Sequence, residues 1–415
     1  MPAEFDVAVV GAGAAGLAAG LALQEAGARF VVLEAASRTG GRAFTDTETF
    51  DQPWDLGCHW LHAAQTNPFV PIADRLGFAY RTTHVRLVRN LWRAGRFADP
   101  AELDAAQEEV DAAFDAVRDA GEAGQDVPAR DVVRLDGPWG ALSRHWLCLM
   151  TASPPERIST RDFAAYHDTE FNWPVLAGYG ALVRAHGASV PVTLQCPVRR
   201  IDWSASGVSL DTPRGEVRAR SVIVTVPTAV ISEGRLSFSP RLPDEVDAAF
   251  AGLTLGVAEK VAVSFDRDVF GFSERTGVTV LGEDPVSFQI LPGPRPLAIG
   301  HMAGDYAARR LADGPQALED AVLDALKAAF GTSIAPHVVT RRATSWAADP
   351  LIGGAYSCAL PGHAGVRDTL QRSVGGRIHF AGEAVRAHDF STCHGAHLSG
   401  LDAARRALAG MEAVL

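Results

Sequence analysis

The chain carries few cysteines, fewer bases than acids, and no long apolar run free of glycine, and each shortage excludes something. Its five cysteines (Cys58, Cys148, Cys196, Cys358, Cys393) are scattered. None forms a C-x-x-C pair or a Cys/His cluster at zinc-finger spacing, so a disulfide scaffold or a zinc module is not expected, and a reduced, cytoplasmic setting is. Lys and Arg number 38 against 49 Asp and Glu, a net charge of −11. That sign argues against affinity built on neutralising phosphates, so nucleic acid is not an expected partner. The uncharged stretch from Val7 to Leu23 would attract a hydropathy window, yet Gly11, Gly13, Gly16 and Gly20 interrupt it, and Glu4 and Asp6 stand where a signal sequence needs basic residues. The last stretch, Leu401 to Leu415, contains Arg405, Arg406 and Glu412. Neither a membrane span nor a tail anchor is expected.

What is present suits a folded protein with more than one core. Hydrophobic residues make up 47% and charged residues 21% of 415 positions, and at roughly 100–200 residues per folding unit two domains are expected. Phe5 to Val10 reads as a buried strand, Ala14 to Ala26 as an alanine-rich helix stopped by Gly27, and Phe30 to Leu33 as a second strand, a βαβ opening. Asp99, Pro100 and Glu102 predict a capped helix over 101–120, with Leu103, Val110, Phe114 and Val117 on one face and carboxylates on the solvated face. Further helices are predicted over 141–150 and 315–330. Strands are expected over 198–203, 208–210, 221–226, 260–265, 278–281 and 297–301, with 291–296 as a loop.

Gly11, Gly13 and Gly16 form G-x-G-x-x-G between the first strand and the first helix, the context that gives this short motif meaning. The first glycine permits the turn, the second lets backbone approach a diphosphate, and the third lets helix pack on strand. Ala14 and Ala15 complete the helix N-terminus that would face the anion. Glu34 closes the second strand, 18 residues beyond Gly16, where a carboxylate accepts from a ribose diol and repels a 2′-phosphate. Next, Gly40, Gly41 and Arg42 place a guanidinium behind the ribose acid, able to clamp a diphosphate.

These glycines, Glu34, the G-G-R element, the run Asp55-Leu56-Gly57-Cys58-His59-Trp60-Leu61-His62 and the run Phe380-Ala381-Gly382-Glu383 together resemble the FAD-dependent amine oxidase family, which includes monoamine oxidases, polyamine oxidases and histone lysine demethylases. The resemblance runs nearly end to end. It implies FAD in an α/β, Rossmann-like cofactor domain interleaved with an α+β substrate domain of mixed sheet and helices. The cofactor domain is expected at 1–80, 190–250 and 345–415, the substrate domain at 81–189 and 251–344. Gly57, Cys58, His59 and Trp60 would line the cofactor, Val198 would offer backbone to the adenine, and Glu383 would hold the ribitol or phosphates. Thr392 would begin the helix whose positive end faces the flavin.

The resemblance also assigns chemistry. Lys260, in Leu255-Gly256-Val257-Ala258-Glu259-Lys260-Val261, occupies the place of the lysine that reaches flavin N5 through water. Tyr356, behind Trp346, Asp349, Pro350 and Gly353-Gly354-Ala355, occupies an aromatic wall of the amine site, and His62 faces the substrate amine. Ala355 stands where monoamine oxidases carry the cysteine that binds flavin covalently, so noncovalent FAD is expected. Thr392 replaces their second aromatic wall, which opens the cage. The H-x-x-H spacing of His59 and His62 lacks a third ligand, so no metal is expected. The implied reaction is hydride transfer from the carbon next to an amine nitrogen, with oxygen as acceptor, hydrogen peroxide released, and an aliphatic or polyamine-like substrate. Two alternatives stay open: an L-amino acid oxidase or desaturase-like flavin enzyme of the same fold, and a flavin-stabilised binding protein without turnover.

Overall fold

The computed structural model describes residues 4–82, 87–293 and 295–412. Two sheets organise the chain. The first has eight strands, ordered Ser237–Ser239, Arg200–Asp202, Val208–Thr212, Gly215–Val224, Phe5–Val10, Phe30–Leu33 and Val192–Thr193, with Ile378–Phe380 also pairing to Gly215–Val224. Its centre is parallel: Phe5–Val10 lies between Phe30–Leu33 and Gly215–Val224. Val7, Ala8, Val9 and Val10 are all buried, the continuous apolar run expected of a strand covered on both faces.

From this strand the chain passes into the helix Ala14–Glu25, which packs against the C-terminal helix Cys393–Glu412. A Cβ on Gly16 would sit 1.9 Å from the Gly11 carbonyl oxygen, so only glycine lets this helix settle on its strand. The sheet therefore draws on segments from both ends and the middle of the chain, and the fold is the interleaved α/β arrangement expected.

The second sheet has seven strands, ordered Val338–Ala343, Ala258–Phe265, Leu297–Ala303, Val286–Leu291, Thr276–Val280, Leu91–Arg93 and Arg96–Phe97. It is antiparallel except where Thr276–Val280 runs parallel to Leu91–Arg93. Side chains alternate between faces along a strand. Val261, Val263 and Phe265 join Leu318, Val322 and Leu326 of the helix Pro315–Phe330 in one core. Ala262, Leu297 and Ile299 lie on the opposite face, against Phe50 and Trp54. Lys260 and His301, two residues along from Ala262 and Ile299, share that second face, which looks toward the 42–62 segment. No helix among the described residues is long and apolar enough to cross a membrane.

Several boundaries differ from expectation. Val198 lies outside the strand predicted over 198–203, because pairing begins only at Arg200 and is limited to three residues on both sides. The strand predicted over 221–226 runs from Gly215 to Val224, its polar first half pairing with Val208–Thr212 at the solvated end of the sheet. Val286–Leu291 was not foreseen, although Val286, Phe288 and Ile290 alternate as buried residues. The capped helix extends over Pro100–Glu122, with the reciprocal Asp99–Glu102 capping box in place. The amphipathic C-terminal stretch is the end of a helix that starts at Cys393; residues 413–415 lie outside the described residues, as does Pro294 in the predicted loop.

Candidate active site

At the first strand's C-terminal end, the Leu17 N–H donates to Gly13 O as the first intrahelical bond. The N–H groups of Ala14, Ala15 and Gly16 thus form the free first turn of the helix. A Cβ added to Gly13 would meet only Gly40 O, at 3.9 Å, so this glycine borders open space where Gly16 does not. Glu34 Oε2 accepts from Ala12 N (2.6 Å) and Oε1 from Ala36 N (2.8 Å). Two amides hold the carboxylate still and leave lone pairs for a diol. Neither the N–H nor the C=O of Val198 has a protein partner among the described residues. Open space at Gly13, an anchored acid and an unpaired backbone edge at Val198 fit an adenosine diphosphate.

Farther along, Arg42 Nη1 donates to Glu383 Oε1 (3.0 Å) and to Ala355 O. Glu383 Oε2 accepts from Ser357 Oγ (2.7 Å), Ser357 N (3.3 Å) and Ser391 N (3.1 Å). Glu383 is therefore a buried hub joining three distant segments. Thr392 starts the C-terminal helix as a cap: its hydroxyl accepts from Gly395 N (2.9 Å) and donates to Asp389 O (2.6 Å).

The other half of the site forms where the second sheet meets the 55–62 segment. Lys260 Nζ donates to Asp55 O (2.9 Å) and Gly57 O (2.6 Å) and lies 5.9 Å from the centre of the Trp60 ring. Burial pulls the Lys260 ammonium down to about 8, against the attraction of Asp55 and Cys58. Asp55, itself buried, accepts from Thr45 Oγ1 (2.5 Å), Tyr179 N (3.1 Å), Gly180 N (3.3 Å) and His59 Nδ1 (2.8 Å). Burial opposes its charge, but the bonds from His59 and Thr45 and the charge of Lys260 prevail and hold the carboxyl below its usual range. His59 is pushed down by burial despite Asp55. Cys58 is lowered by a hydrogen bond from Cys393, which raises Cys393 in turn. All five cysteines are unpaired thiols.

Trp60 stacks edge-on to His59 (4.8 Å) and contacts His62 (6.0 Å) and His301 (5.6 Å). The Tyr356 hydroxyl donates to Leu149 O, fixing its ring against the end of the Gly140–Thr151 helix. Lys260, His59, Trp60 and His62 thus come together directly, and Arg42, Glu383 and Ala355 form a second cluster beside Tyr356. Sequence reasoning missed His301, which pairs with Lys260 across the antiparallel ladder and whose Nε2 is enclosed without a partner among the described residues. It also missed Asp55 as the organiser and Asn172. A buried polar residue inside an apolar strand was the available signal for His301; nothing local marks the other two.

The family model for flavin containing amine oxidoreductases matches residues 14–137 and 140–408. The chain belongs to that family. Its cofactor is a flavin. The chain is 29% identical over 444 residues to polyamine oxidase 4 of Oryza sativa subsp. japonica, covering 96% of this chain and 88% of that protein. It is 27% identical over 439 residues to lysine-specific histone demethylase 2 of Homo sapiens, covering 95% of this chain. Only 52% of the demethylase is covered, so the chain spans about half its length. In fold it is similar to a putrescine oxidase variant (TM-score 0.81, 21% identity, 98% of this chain and 99% of that one). Cyclohexylamine oxidase from Brevibacterium oxydans is comparable (TM-score 0.80, 22% identity, 99% of each). As an amine oxidoreductase the chain is an enzyme that acts on amines through a flavin. No cluster of three or more metal-ligating side chains occurs among the described residues.

Proposed function

We propose that this amine oxidoreductase oxidises an aliphatic or polyamine-like amine with oxygen as acceptor, releasing hydrogen peroxide in a reduced, cytoplasmic setting. The observation that carries the reading is the half-buried Lys260, held by two carbonyls beside Trp60, with an ammonium lowered to about 8. FAD, when bound, takes up the hydride equivalent from the carbon next to the amine nitrogen. The chain positions, dries and protonates. Gly11, Gly13, Ala14, Ala15 and Gly16 hold the diphosphate, Glu34 the ribose, Val198 the adenine edge, and Arg42 with Glu383 the phosphates and ribitol. Gly57, Cys58, His59, Trp60 and Thr392 surround the ring system. These segments belong to a cofactor domain of 1–80, 190–250 and 345–415, and the remainder to a substrate domain.

Around the reacting carbon, Tyr356 supplies a wall whose rotation is blocked by its bond to Leu149 O. His62 receives the amine nitrogen. Lys260, which exchanges its proton near pH 8, holds or moves a proton at Nζ on the face opposite the sheet's apolar core. The same burial that lowers Lys260, His59 and His62 keeps water from the reacting carbon and strengthens each electrostatic contact there. Peroxide release should be measured with purified enzyme over diamines, polyamines, arylalkylamines and L-amino acids. Turnover of aliphatic amines is expected; turnover confined to amino acids would replace this reading.

A further inference from the structure

Glu259 and Lys260 are neighbours on the strand Ala258–Phe265 and therefore face opposite sides of the sheet. Glu259 is 2% exposed and has no hydrogen bond or ion pair with a basic side chain among the described residues. Three donors meet its oxygens instead: Oε2 accepts from Thr344 Oγ1 (2.5 Å) and Trp346 N (3.0 Å), and Oε1 accepts from Ala347 N (3.0 Å). Burial pushes the carboxyl up, and those three bonds oppose it. A buried acid without a cation is a costly occupant of a sheet position that an apolar side chain could fill. What it holds is the short turn Trp346–Ala348, whose first N–H groups it takes.

That turn closes a circuit around Lys260. Thr344 N donates to Lys260 O (2.8 Å), and Lys260 N donates to Thr344 Oγ1 (2.8 Å), whose own hydrogen goes to Glu259. The buried Trp346 sends its indole Nε1–H to Leu56 O (3.0 Å). Leu56 lies between Asp55 and Gly57, the two residues whose carbonyls receive Lys260 Nζ. A Cβ on Gly57 would lie 1.9 Å from Arg42 O, so the backbone at Arg42 closes another side of the segment. The charges that favour the Lys260 ammonium are Asp55 and Cys58; His59, His62 and His301 stand around it, each lowered first by burial.

We propose that Glu259 is a positioning residue for Lys260: through the 344–347 turn and the Trp346 indole it holds the carbonyls of Asp55 and Gly57 where they capture Nζ. Its weight in the reaction rests on the reading that Lys260 serves the flavin chemistry. Glu259→Gln keeps the shape but sets an NH2 group against donors that a carboxylate satisfied, which releases one end of the turn. Glu259→Asp keeps the charge and withdraws the oxygens by one methylene. Trp346→Phe leaves Glu259 in place and removes the bond to Leu56 O. In all three the carbonyls lose their hold on a lysine that stays enclosed, and an ammonium short of acceptors gives up its proton more readily.

The chain's lysines are Lys260 and Lys327 alone, so holoenzyme labelled with 13C at the lysine ε-carbon gives two signals, which Lys260→Met tells apart. The Lys260 signal of the wild type should titrate at about 8. Glu259→Gln, Glu259→Asp and Trp346→Phe should each lower that titration by about one unit. Glu259→Asp combined with Trp346→Phe should move it no farther than either alone, because both act along one route. A titration that stays or rises in Glu259→Asp, or shifts that add in the double variant, overturns the positioning; an effect confined to Glu259→Gln would make Glu259 a charge and overturn it equally. In parallel, anaerobic flavin reduction by spermidine and reoxidation by oxygen are followed against pH. Whichever half-reaction Lys260→Met slows should slow about tenfold in Glu259→Asp, with its pH limb displaced as the lysine signal is. Unchanged half-reactions in Lys260→Met, with the lysine shifts intact, would refute the role of Lys260 while sparing its positioning by Glu259.

Discussion

Replacing Lys260 with methionine sets two terms against each other, and their balance depends on pH. Lowering an ammonium from 10.5 to about 8 corresponds to about 3 kcal/mol of unfavourable burial, which methionine removes at neutral pH. The substitution also leaves Asp55 O and Gly57 O without their donor, at about 1–3 kcal/mol each. Near pH 7 the terms largely cancel, and the variant should be within about 2 kcal/mol of wild type. The difference lies in slope. Between pH 8 and 10.5 the unfolded chain binds a proton at Lys260 that the folded chain has released, so folding stability from this group rises with pH. Wild type should therefore gain about 3 kcal/mol on Lys260→Met across that window. Urea unfolding of both proteins, at the same saturating FAD, measures it. Curves that run parallel from about pH 7 to 10.5 would refute the buried, depressed ammonium.

Three further outcomes follow. Asp55→Asn keeps the shape but turns an amide against donors that a carboxylate satisfied, and should cost about 3–5 kcal/mol, read by urea unfolding at neutral pH. Because the folded carboxyl is depressed, its contribution is present above the usual carboxylate range and fades as pH falls through the folded value, so the wild-type advantage should shrink in acid. Gly16→Ala drives a methyl to 1.9 Å from Gly11 O and should release FAD, seen as a lower ratio of flavin to protein absorbance; full retention would contradict the close helix–strand contact. Lys260→Met should keep its FAD and slow flavin reduction or reoxidation in stopped flow, and unchanged rates in both would remove Lys260 from the chemistry.

Local geometry was legible in the sequence: the close helix–strand contact at Gly16 and the acid anchored at the end of the second strand follow from spacing along consecutive residues. The Asp99–Glu102 capping box and the helix Pro315–Phe330 were readable for the same reason. Strands were read where apolar residues run together or alternate, as in Phe5–Val10 and Val208–Thr212. The polar half of Gly215–Val224 looks like loop until Val208–Thr212 pairs with it, and Val198 reads as strand until its neighbours prove too short to pair. The site's supporting residues were hidden for a physical reason. Asp55 acquires its four donors from Thr45, His59 and the Tyr179–His186 helix start, and Asn172 meets His62 through a two-residue ladder. Contacts made by tertiary pairing leave no period or spacing to read.

The most direct test of the account is anaerobic mixing of the purified yellow enzyme with spermidine, putrescine and other aliphatic amines, watching the oxidised flavin band. The account predicts that at least one aliphatic amine bleaches the band in a saturable, single-turnover step, and that admitting oxygen restores it with one peroxide formed per flavin. A band that survives every amine, or that only an L-amino acid bleaches, would contradict it.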